Sequence, residues 1–344
     1  MNNSYKNNQH SNPNLKAVGL ISGGLDSALA VKILQSLGIQ VYGIFFDMPW
    51  RQRSMDNIKK LVQQLHIPLN IIQLDENYLE MVRKPRFGRG IALNPCMDCH
   101  VYMLQKASQY MNELHADFIF TGEVLGQRPM SQNRSSLNLV ERKSGLKGKL
   151  LRPLSASLLE PTDMENEGKI ERAKLLSISG RGRREQLDLA QKFDIQHFAW
   201  PAGGCLLTDK HFSKRLEDLY LYGYRNINDV ILLKWGRHFR INETCKFIIS
   251  KDERESNQLL KNATSHDYIL EFPDDIPGPT VLAQTSEADI NLLSLASGYL
   301  QYFSKFQDSK PQKVAYRLKS QADFTNHIIA SRVNEKQINA TWIR

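Results

Sequence analysis

The sequence predicts an α/β protein: a doubly wound parallel sheet followed by a smaller α+β domain. Three observations predict it. Residues 15 to about 125 alternate between apolar, β-prone runs and stretches with apolar residues at helical spacing, the pattern of a parallel sheet covered on both faces. At the first such transition, "LISGGLDSALAVKIL", the chain leaves a strand, turns on two glycines and enters a helix at once. From about residue 226 the pattern changes to strand, turn, strand and helix.

The elements follow in order. "KAVGLI" reads as the first strand, and the helix after the glycine turn runs to Leu37. "IQVYGIFFD" is a second strand, "SMDNIKKLVQQLH" a helix, "PLNIIQLD" a third strand and "NYLEMVRK" a short helix. "CHVYMLQKASQYMNELH" is a longer helix and "ADFIFTGE" a fourth strand. Val124 to about Pro161 reads as polar and irregular. "KIERAKLLSISG" and "REQLDLAQKFDI" look helical, with the basic knot "GRGRR" between them, and "HFSKRLEDLYLYG" is a further helix. In "VILLKWGRHFRINETCKFIISKDERESNQLLKNA" the expectation is a strand, a turn, a second strand and a helix. "HDYILEFPDDIPGPTVLA" and "PQKVAYRL" add strands. The predicted divisions are a disordered tail over 1–14, a nucleotide-binding domain over 15–160, a helical and cysteine-loop extension over 161–225 that completes it, and the last domain over 226–344.

Bulk properties exclude several classes. The chain has 344 residues, 45 basic against 36 acidic, and a formal net charge of +9, an excess that permits a nucleic-acid partner. No apolar run reaches the length of a membrane span, and the polar N-terminus lacks the apolar region of a secretory signal, so a cytoplasmic protein is expected. Four cysteines (Cys96, Cys99, Cys205 and Cys245) in a chain this long are too few for a disulfide framework.

Ligands in doubly wound folds sit beyond the carboxyl ends of the strands. The glycine turn, Phe46-Asp47 and Thr121-Gly122-Glu123 all fall at such ends. At the turn, Gly23 and Gly24 let the backbone approach an anion. Ser22 and Ser27 offer hydroxyls, and the helix that begins near Asp26 adds its positive end. A Walker-type lysine is absent. "NPCMDCH" places Cys96 and Cys99 three apart at a helix start, where the dipole stabilises thiolates. Two soft ligands on one turn are half of a metal site. "AGGC" adds Cys205 on a glycine-flexible loop, whereas Cys245, in the apolar "CKFIIS", reads as an inert core thiol. Lys and Arg crowd the segments around this region, from Lys84 and Arg86 to Lys149 and Arg152, a density that favours contact with an RNA backbone.

The string Ser22-Gly23-Gly24-Leu25-Asp26-Ser27 resembles the SGGxDS pyrophosphate loop of N-type ATP pyrophosphatases, the PP-loop enzymes of the adenine nucleotide alpha hydrolase-like fold. "YGIFFDMPW" resembles the nucleotide-facing strand of tRNA 2-thiouridylases, which implies that the backbone of Ile44, Phe45 and Phe46 reads adenine. "TGEVLGQRPMSQ" resembles a segment of tRNA 4-thiouridine synthetases, which implies that Gly122 lies near the nucleotide. The thiolation families use cysteines in two such regions, so the resemblance pairs Cys96 and Cys99 with Cys205. "VILLKWGRHFRINETCKFIIS" resembles the NFACT-R type RNA-binding domain, which implies contacts from Lys234, Arg237, His238 and Arg240. Arg181, Arg183 and Arg184 of the basic knot are further candidate RNA contacts. The RNA-binding domain that precedes the PP-loop in 4-thiouridine synthetases has no counterpart read here, and the last domain differs from the β-barrel of 2-thiouridylases.

The resemblance implies ATP-dependent thiolation of RNA, expected to be tRNA. ATP and Mg²⁺ would bind at the turn with Asp26 as the carboxylate nearby. The sulfur donor would be sulfide or a cysteine desulfurase. Three arrangements of the cysteines stay open: a 4Fe–4S cluster on Cys96, Cys99 and Cys205; a Cys205 persulfide resolved by Cys96 or Cys99; or structural zinc with His100 as a fourth ligand. An ATP-dependent amidating or nitrile-forming enzyme with structural zinc is a second hypothesis. A non-catalytic RNA-binding protein is a third.

Overall fold

The structure is a computed structural model, and it describes residues 15–50, 54–199, 205–224, 226–273, 276–285, 289–305 and 310–344. The described residues up to 199 form one compact unit and those from Cys205 onward a second.

In the first unit the predicted alternation is realised. Strand β1 (Lys16–Leu20) leads through the glycine turn into α1 (Leu25–Ser36). Then come β2 (Gln40–Asp47), α2 (Met55–Leu65), β3 (Leu69–Gln73), α3 (Glu76–Arg83), α4 (Cys96–Glu113) and β4 (Phe118–Thr121). The unit continues with α5 (Arg134–Lys143), the two-residue β5 (Leu150–Leu151), the short α6 (Asp163–Asn166) and α7 (Arg184–Lys192). The strands lie in the order β3-β2-β1-β4-β5, and every recorded pairing among them is parallel. Strand order reverses between β1 and β4, and such a switch point leaves a crevice at the strands' carboxyl ends. Ala17, Val18, Phe118, Ile119 and Phe120 are almost wholly buried, as expected for central parallel strands covered on both faces.

Local chemistry explains where most helices begin. Ser54, Asp75 and Asn133 cap α2, α3 and α5 by accepting a backbone N–H through the side chain, the arrangement that satisfies the amides left over at a helix start. Helices α1, α4 and α7 begin at Gly24, Pro95 and Arg183 with no side-chain cap. Their first amides are left for other partners.

The second unit begins with α8 (Lys210–Tyr222) and α9 (Ile227–Leu232), followed by β6 (Arg237–Arg240), β7 (Cys245–Ile249), α10 (Glu253–Asn262), β8 (Tyr268–Glu271) and β9 (Val281–Thr285). It ends with α11 (Ile290–Tyr302), β10 (Gln312–Leu318), β11 (Asn326–Ala330) and α12 (Glu335–Thr341). Six antiparallel strands run in the order β11-β10-β8-β9-β7-β6. Alternation along the strands sorts the two faces. Phe239, Phe247, Leu270 and Ala283 pack with Tyr299 and Leu300 of α11. Ile248, Ile269 and Leu282 pack with Leu232 of α9 and Leu259 of α10. This is the smaller α+β domain that the sequence predicts.

Three expectations are corrected. "KIERAKLLSISG" is not a helix. Beyond one 3₁₀ turn at Arg172–Lys174 it runs extended, with Leu176 N donating to Pro153 O (2.9 Å), Ile178 N to Leu154 O (2.8 Å) and Gly180 N to Leu125 O (2.7 Å). Burial of Leu175 and Ile178 in the first core outweighs helix propensity. The run at Val230 is the end of α9 rather than a strand, because Asn226 caps a helix there by accepting from Asn228 N (2.8 Å). The stretch from Val124 to Pro161, expected to be irregular, contains α5 and β5.

Candidate functional site

The SGGLDS turn sits on the switch-point crevice. Gly23 has φ +75°, a left-handed conformation that glycine adopts without strain. Ser27 Oγ donates to Gly24 O (2.8 Å) and accepts from Ser22 N (3.3 Å), and Gly24 N donates to Ser22 Oγ (3.3 Å). The two hydroxyls therefore hold the turn closed around its own backbone. Leu25 and Ser27 are buried, and Ser22 is exposed. Across the switch point, Gly122 presses against the turn: a Cβ there would lie 2.5 Å from Asp26 C and Ser27 N. Ile44, Phe45 and Phe46, on the neighbouring strand β2, are buried, and Ile44 O accepts from Ile21 N (2.9 Å).

Asp26 lies in the first turn of α1. Its Oδ2 accepts from Gln127 Nε2 (3.2 Å), and its Oδ1 is 3.5 Å from Arg183 Nη2. Burial raises its pKa above the ordinary carboxylate value, against the opposing pull of Arg183, Gln127 and Arg128. Arg183 reaches Asp26 because Gly180 is tied to Leu125 and α7 packs on α1. Of the three arginines assigned to RNA in the basic knot, the structure brings Arg183 to the nucleotide turn and leaves Arg181 and Arg184 exposed.

Both cysteines of "NPCMDCH" lie in the first turn of α4, which begins three residues earlier than the sequence suggests. Cys96 Sγ donates to Asn94 Oδ1 (3.2 Å), and Cys99 Sγ and Tyr78 OH are 2.9 Å apart. Both thiols are half-buried. Asp98 between them is an anchor: it is buried and accepts from Arg86 N (2.8 Å) and Phe87 N (3.0 Å). Among the described residues, no group of three or more His, Cys, Asp or Glu side chains is placed to hold a metal. The thiol pair alone therefore fits half of a metal or cluster site. Cys205 is half-buried in the second unit, at the start of a 3₁₀ turn, and the glycines before it lie outside the described residues. Cys245 is fully buried, and burial pushes its thiol up to about 11, which suits an inert core thiol.

A charged network missed by motif reading links these parts. Glu123 follows Gly122, and His100 follows Cys99. His100 Nδ1 and Glu123 Oε1 are 2.9 Å apart, while Glu123 Oε2 accepts from Thr121 Oγ1 (2.9 Å) and Arg152 Nε (3.1 Å). Arg152 also donates to Glu141 Oε2 (3.0 Å) and Leu137 O (3.2 Å). Burial alone would push Glu123 up, but Arg152, His100 and the Thr121 hydroxyl outweigh it and hold the carboxyl well below its usual range. A contiguous chain of contacts thus runs from the PP-loop through Gly122 and Glu123 to the cysteine-bearing turn. Arg152, counted by sequence among surface cations, is buried and serves this network instead of RNA. The one signal in the sequence was the polar Thr-Gly-Glu at a strand exit.

The RNA contacts implied for the second unit divide. Lys234 is half-buried beside the Trp235 ring (5.7 Å). Arg237 stands over Phe303 at 4.8 Å. Arg240 makes a bidentate pair with Asp218 (3.0 and 2.7 Å), stands over Tyr222, and lines a cleft of about 620 Å³. His238 is fully buried, with Nε2 2.8 Å from Trp235 O. Burial, together with Lys246 and Arg215, pushes its pKa far down, so it holds the fold and presents no surface to RNA.

A parallel sheet with an SGGLDS turn at its switch point resembles the nucleotide-binding unit of PP-loop proteins, and the α+β unit that follows resembles the NFACT-R type. Comparison with known proteins agrees on both parts. Residues 15–145 match the family model of the tRNA methyl transferase HUP domain, and residues 236–343 that of the NFACT protein RNA binding domain. The chain is 31% identical over 126 residues to the tRNA-specific 2-thiouridylase MnmA of Karelsulcia muelleri (strain GWSS), which covers 33% of this chain and 32% of that protein. It is 29% identical over 115 residues to the protein of the same name from a Nitratiruptor species, covering 31% and 34%. The chain thus spans about one third of the length of these relatives. Among solved structures, a 4-thiouridine synthetase–RNA complex with bound ATP aligns at 18% identity over 53% of this chain and 52% of that chain, with a TM-score of 0.34. No helix among the described residues is long and apolar enough to cross a membrane.

Proposed function

We propose that the protein is an ATP-dependent tRNA sulfurtransferase. The observation that carries this is the contact chain from Asp26 and Ser27 through Gly122 and Glu123 to His100, which ties a phosphate-type turn to a turn bearing two thiols. A kinase or ligase site needs the first of these and not the second. The relatives matched over 126 and 115 residues are named as tRNA-specific 2-thiouridylases, and the similarity of residues 236–343 to an RNA binding domain supports the same substrate class.

The chemistry follows from the side chains. The uncapped amides of α1, that of Ser27 among them, and the exposed Ser22 hydroxyl cradle the ATP pyrophosphate, while the buried Ser27 hydroxyl holds the turn in shape. Asp26 would hold the accompanying Mg²⁺. The backbone of Ile44 to Phe46 reads adenine. The carbonyl oxygen of a target base attacks the α-phosphorus, and pyrophosphate leaves. Sulfur then attacks the activated carbon, AMP leaves, and a thiocarbonyl remains. The base must be unstacked to react, which favours a loop or end nucleotide.

Two routes for sulfur are proposed. In one, Cys96, Cys99 and Cys205 would hold a 4Fe–4S cluster, which would supply sulfur taken from external sulfide. In the other, the terminal sulfur of a Cys205 persulfide attacks the base. The thiolate of Cys96 or Cys99 then attacks the Cys205 sulfur, forming a disulfide and freeing the thiocarbonyl, and a thiol reductant resets the pair. Arg181 and Arg184 contact the RNA backbone, as do Lys234, Arg237 and Arg240 of the second unit.

The test is anaerobic purification of the full chain, iron and sulfide analysis, and assay of pyrophosphate release and tRNA thionucleosides by mass spectrometry. The expected result is tRNA-dependent pyrophosphate release and a thiolated nucleoside, the latter lost in Cys96→Ala and Cys205→Ala. Iron and sulfide lost in both variants select the cluster route. Zinc without iron, with no thionucleoside formed, overturns thiolation in favour of an amidating enzyme.

A further inference from the structure

The SGGLDS turn lacks the lysine with which Walker loops meet phosphate, and its own charged group, Asp26, is negative. Arg183 comes to it from 157 positions along the chain. Rigid elements place it. Ser179 pairs with Leu125 in a bridge, Gly180 N donates to Leu125 O (2.7 Å), and Arg183 is the first-turn boundary of α7, whose Gln186 and Ala190 are buried. Its side chain is 28% exposed while its neighbours Arg181 and Arg184 are open to solvent. A partly exposed pair at 3.5 Å contributes little to stability, so fold stability does not explain this placement.

Guanidinium offers a planar fork of donors that matches phosphate oxygens two at a time. A triphosphate in the turn presents several negative charges beside the single charge of Asp26. We propose that Arg183 is the pyrophosphate-binding cation of this site, which turns from Asp26 to the β- and γ-phosphates of ATP and leaves Asp26 to the divalent cation. This rests on the nucleotide assignment above. It also removes Arg183 from the RNA contacts expected of the basic knot.

The test uses the full chain, Arg183→Gln and Arg183→Lys, with separate titrations of Mg-ATP, Mg-pyrophosphate, AMP and bulk tRNA. Arg183→Gln is expected to weaken ATP and pyrophosphate by about tenfold or more, the scale of a lost charge-assisted bond to phosphate. Its affinities for AMP and for tRNA without nucleotide stay within about twofold, since neither uses the pyrophosphate contact. Arg183→Lys keeps the charge without the fork and falls between the two, which also shows that the site still folds. Weakened tRNA binding with unchanged ATP affinity would overturn the proposal and return Arg183 to the RNA surface. Unchanged affinities throughout would reduce it to a structural ion pair. A wild-type chain that binds neither ATP nor pyrophosphate would overturn the nucleotide assignment itself, an outcome distinct from the other two.

Discussion

Each unit buries a cluster of charged side chains, and the two clusters are balanced in opposite directions. In the first unit the buried Arg152 serves two carboxylates, Glu123 and Glu141, with His100 and Thr121 completing the set. In the second, Asp218 serves two cations: Arg240 in a bidentate pair and Lys246 at 3.3 Å, itself 3% exposed. The consequence is electrostatic. Glu123 is surrounded by donors and held ionised. Lys246 loses hydration, is repelled by Arg240 and is only partly compensated by Asp218, so it falls to about 8. A buried charge is secure when its neighbours over-satisfy it, and it titrates near neutrality when they do not. The first cluster ties the PP-loop strand to the cysteine helix and needs a fixed geometry. The second stands between α8 and the sheet of the second unit.

Removing the centre of the first cluster has the largest expected effect. Arg152→Met leaves Glu123 buried without its principal cation, and such a break costs about 3–5 kcal/mol. Native-state hydrogen exchange of the β1 and β4 amides reads it, and an effect below about 1 kcal/mol would mean that water or rearrangement replaces the guanidinium. The pH dependence is next in size. Because the folded Glu123 pKa lies below its ordinary value of 4.5, its stabilisation is present above that value and is lost as pH falls toward the folded pKa. Glu123→Gln should therefore be less stable than wild type at pH about 7, by about 1–3 kcal/mol, and the gap should narrow in acid. A gap that does not change with pH would show that the amide keeps the same bonds and that ionisation contributes nothing.

This first cluster also marks where the sequence stops being readable. The strand, glycine turn and helix at residues 16–36 are legible because each local preference agrees with the fold. So are β2 to β4 with their helices, where the periodicities alternate cleanly. Local agreement fails at "KIERAKLLSISG", where backbone partners at Leu125, Pro153 and Leu154 draw a helix-prone run into an extended path. It fails again at α5, a ten-residue, mostly polar helix that buries only Leu137 and Val140 and so offers few apolar positions to mark it. Long-range charge is harder still. His100, Glu123 and Arg152 are 23 and 29 positions apart, and no spacing rule distinguishes a buried arginine from a solvated one. The same limit placed His238 on an RNA surface. Its run Gly-Arg-His-Phe-Arg resembles a binding strand, but strand alternation turns His238 to the face covered by α9 and α10.

The second cluster provides the smallest and most specific test. Lys246 is the surplus cation, because Asp218 retains its bidentate bond to Arg240 without it. Removing one member of a buried charge cluster is costly when it leaves an uncompensated charge, and here Asp218 keeps Arg240, so that cost does not arise. Lys246→Met should therefore lie within about 1 kcal/mol of wild type near neutral pH, or be more stable. The sign of the pH term sharpens this. The folded pKa of about 8 lies below the unfolded 10.5, so the unfolded chain binds the proton more tightly between them. Wild type is thus destabilised below about 8 and relieved as pH rises toward 10.5, and Lys246→Met lacks that rise. Cys245, fully buried and next to Lys246 in β7, supplies the readout. Pulse labelling of its thiol after incubation in urea, with peptide mapping to separate the other cysteines, reports opening of this unit alone. A Met variant destabilised by several kcal/mol would show that the lysine is an organising part of the cluster, and the contrast between the two units would then lie in geometry rather than in charge balance.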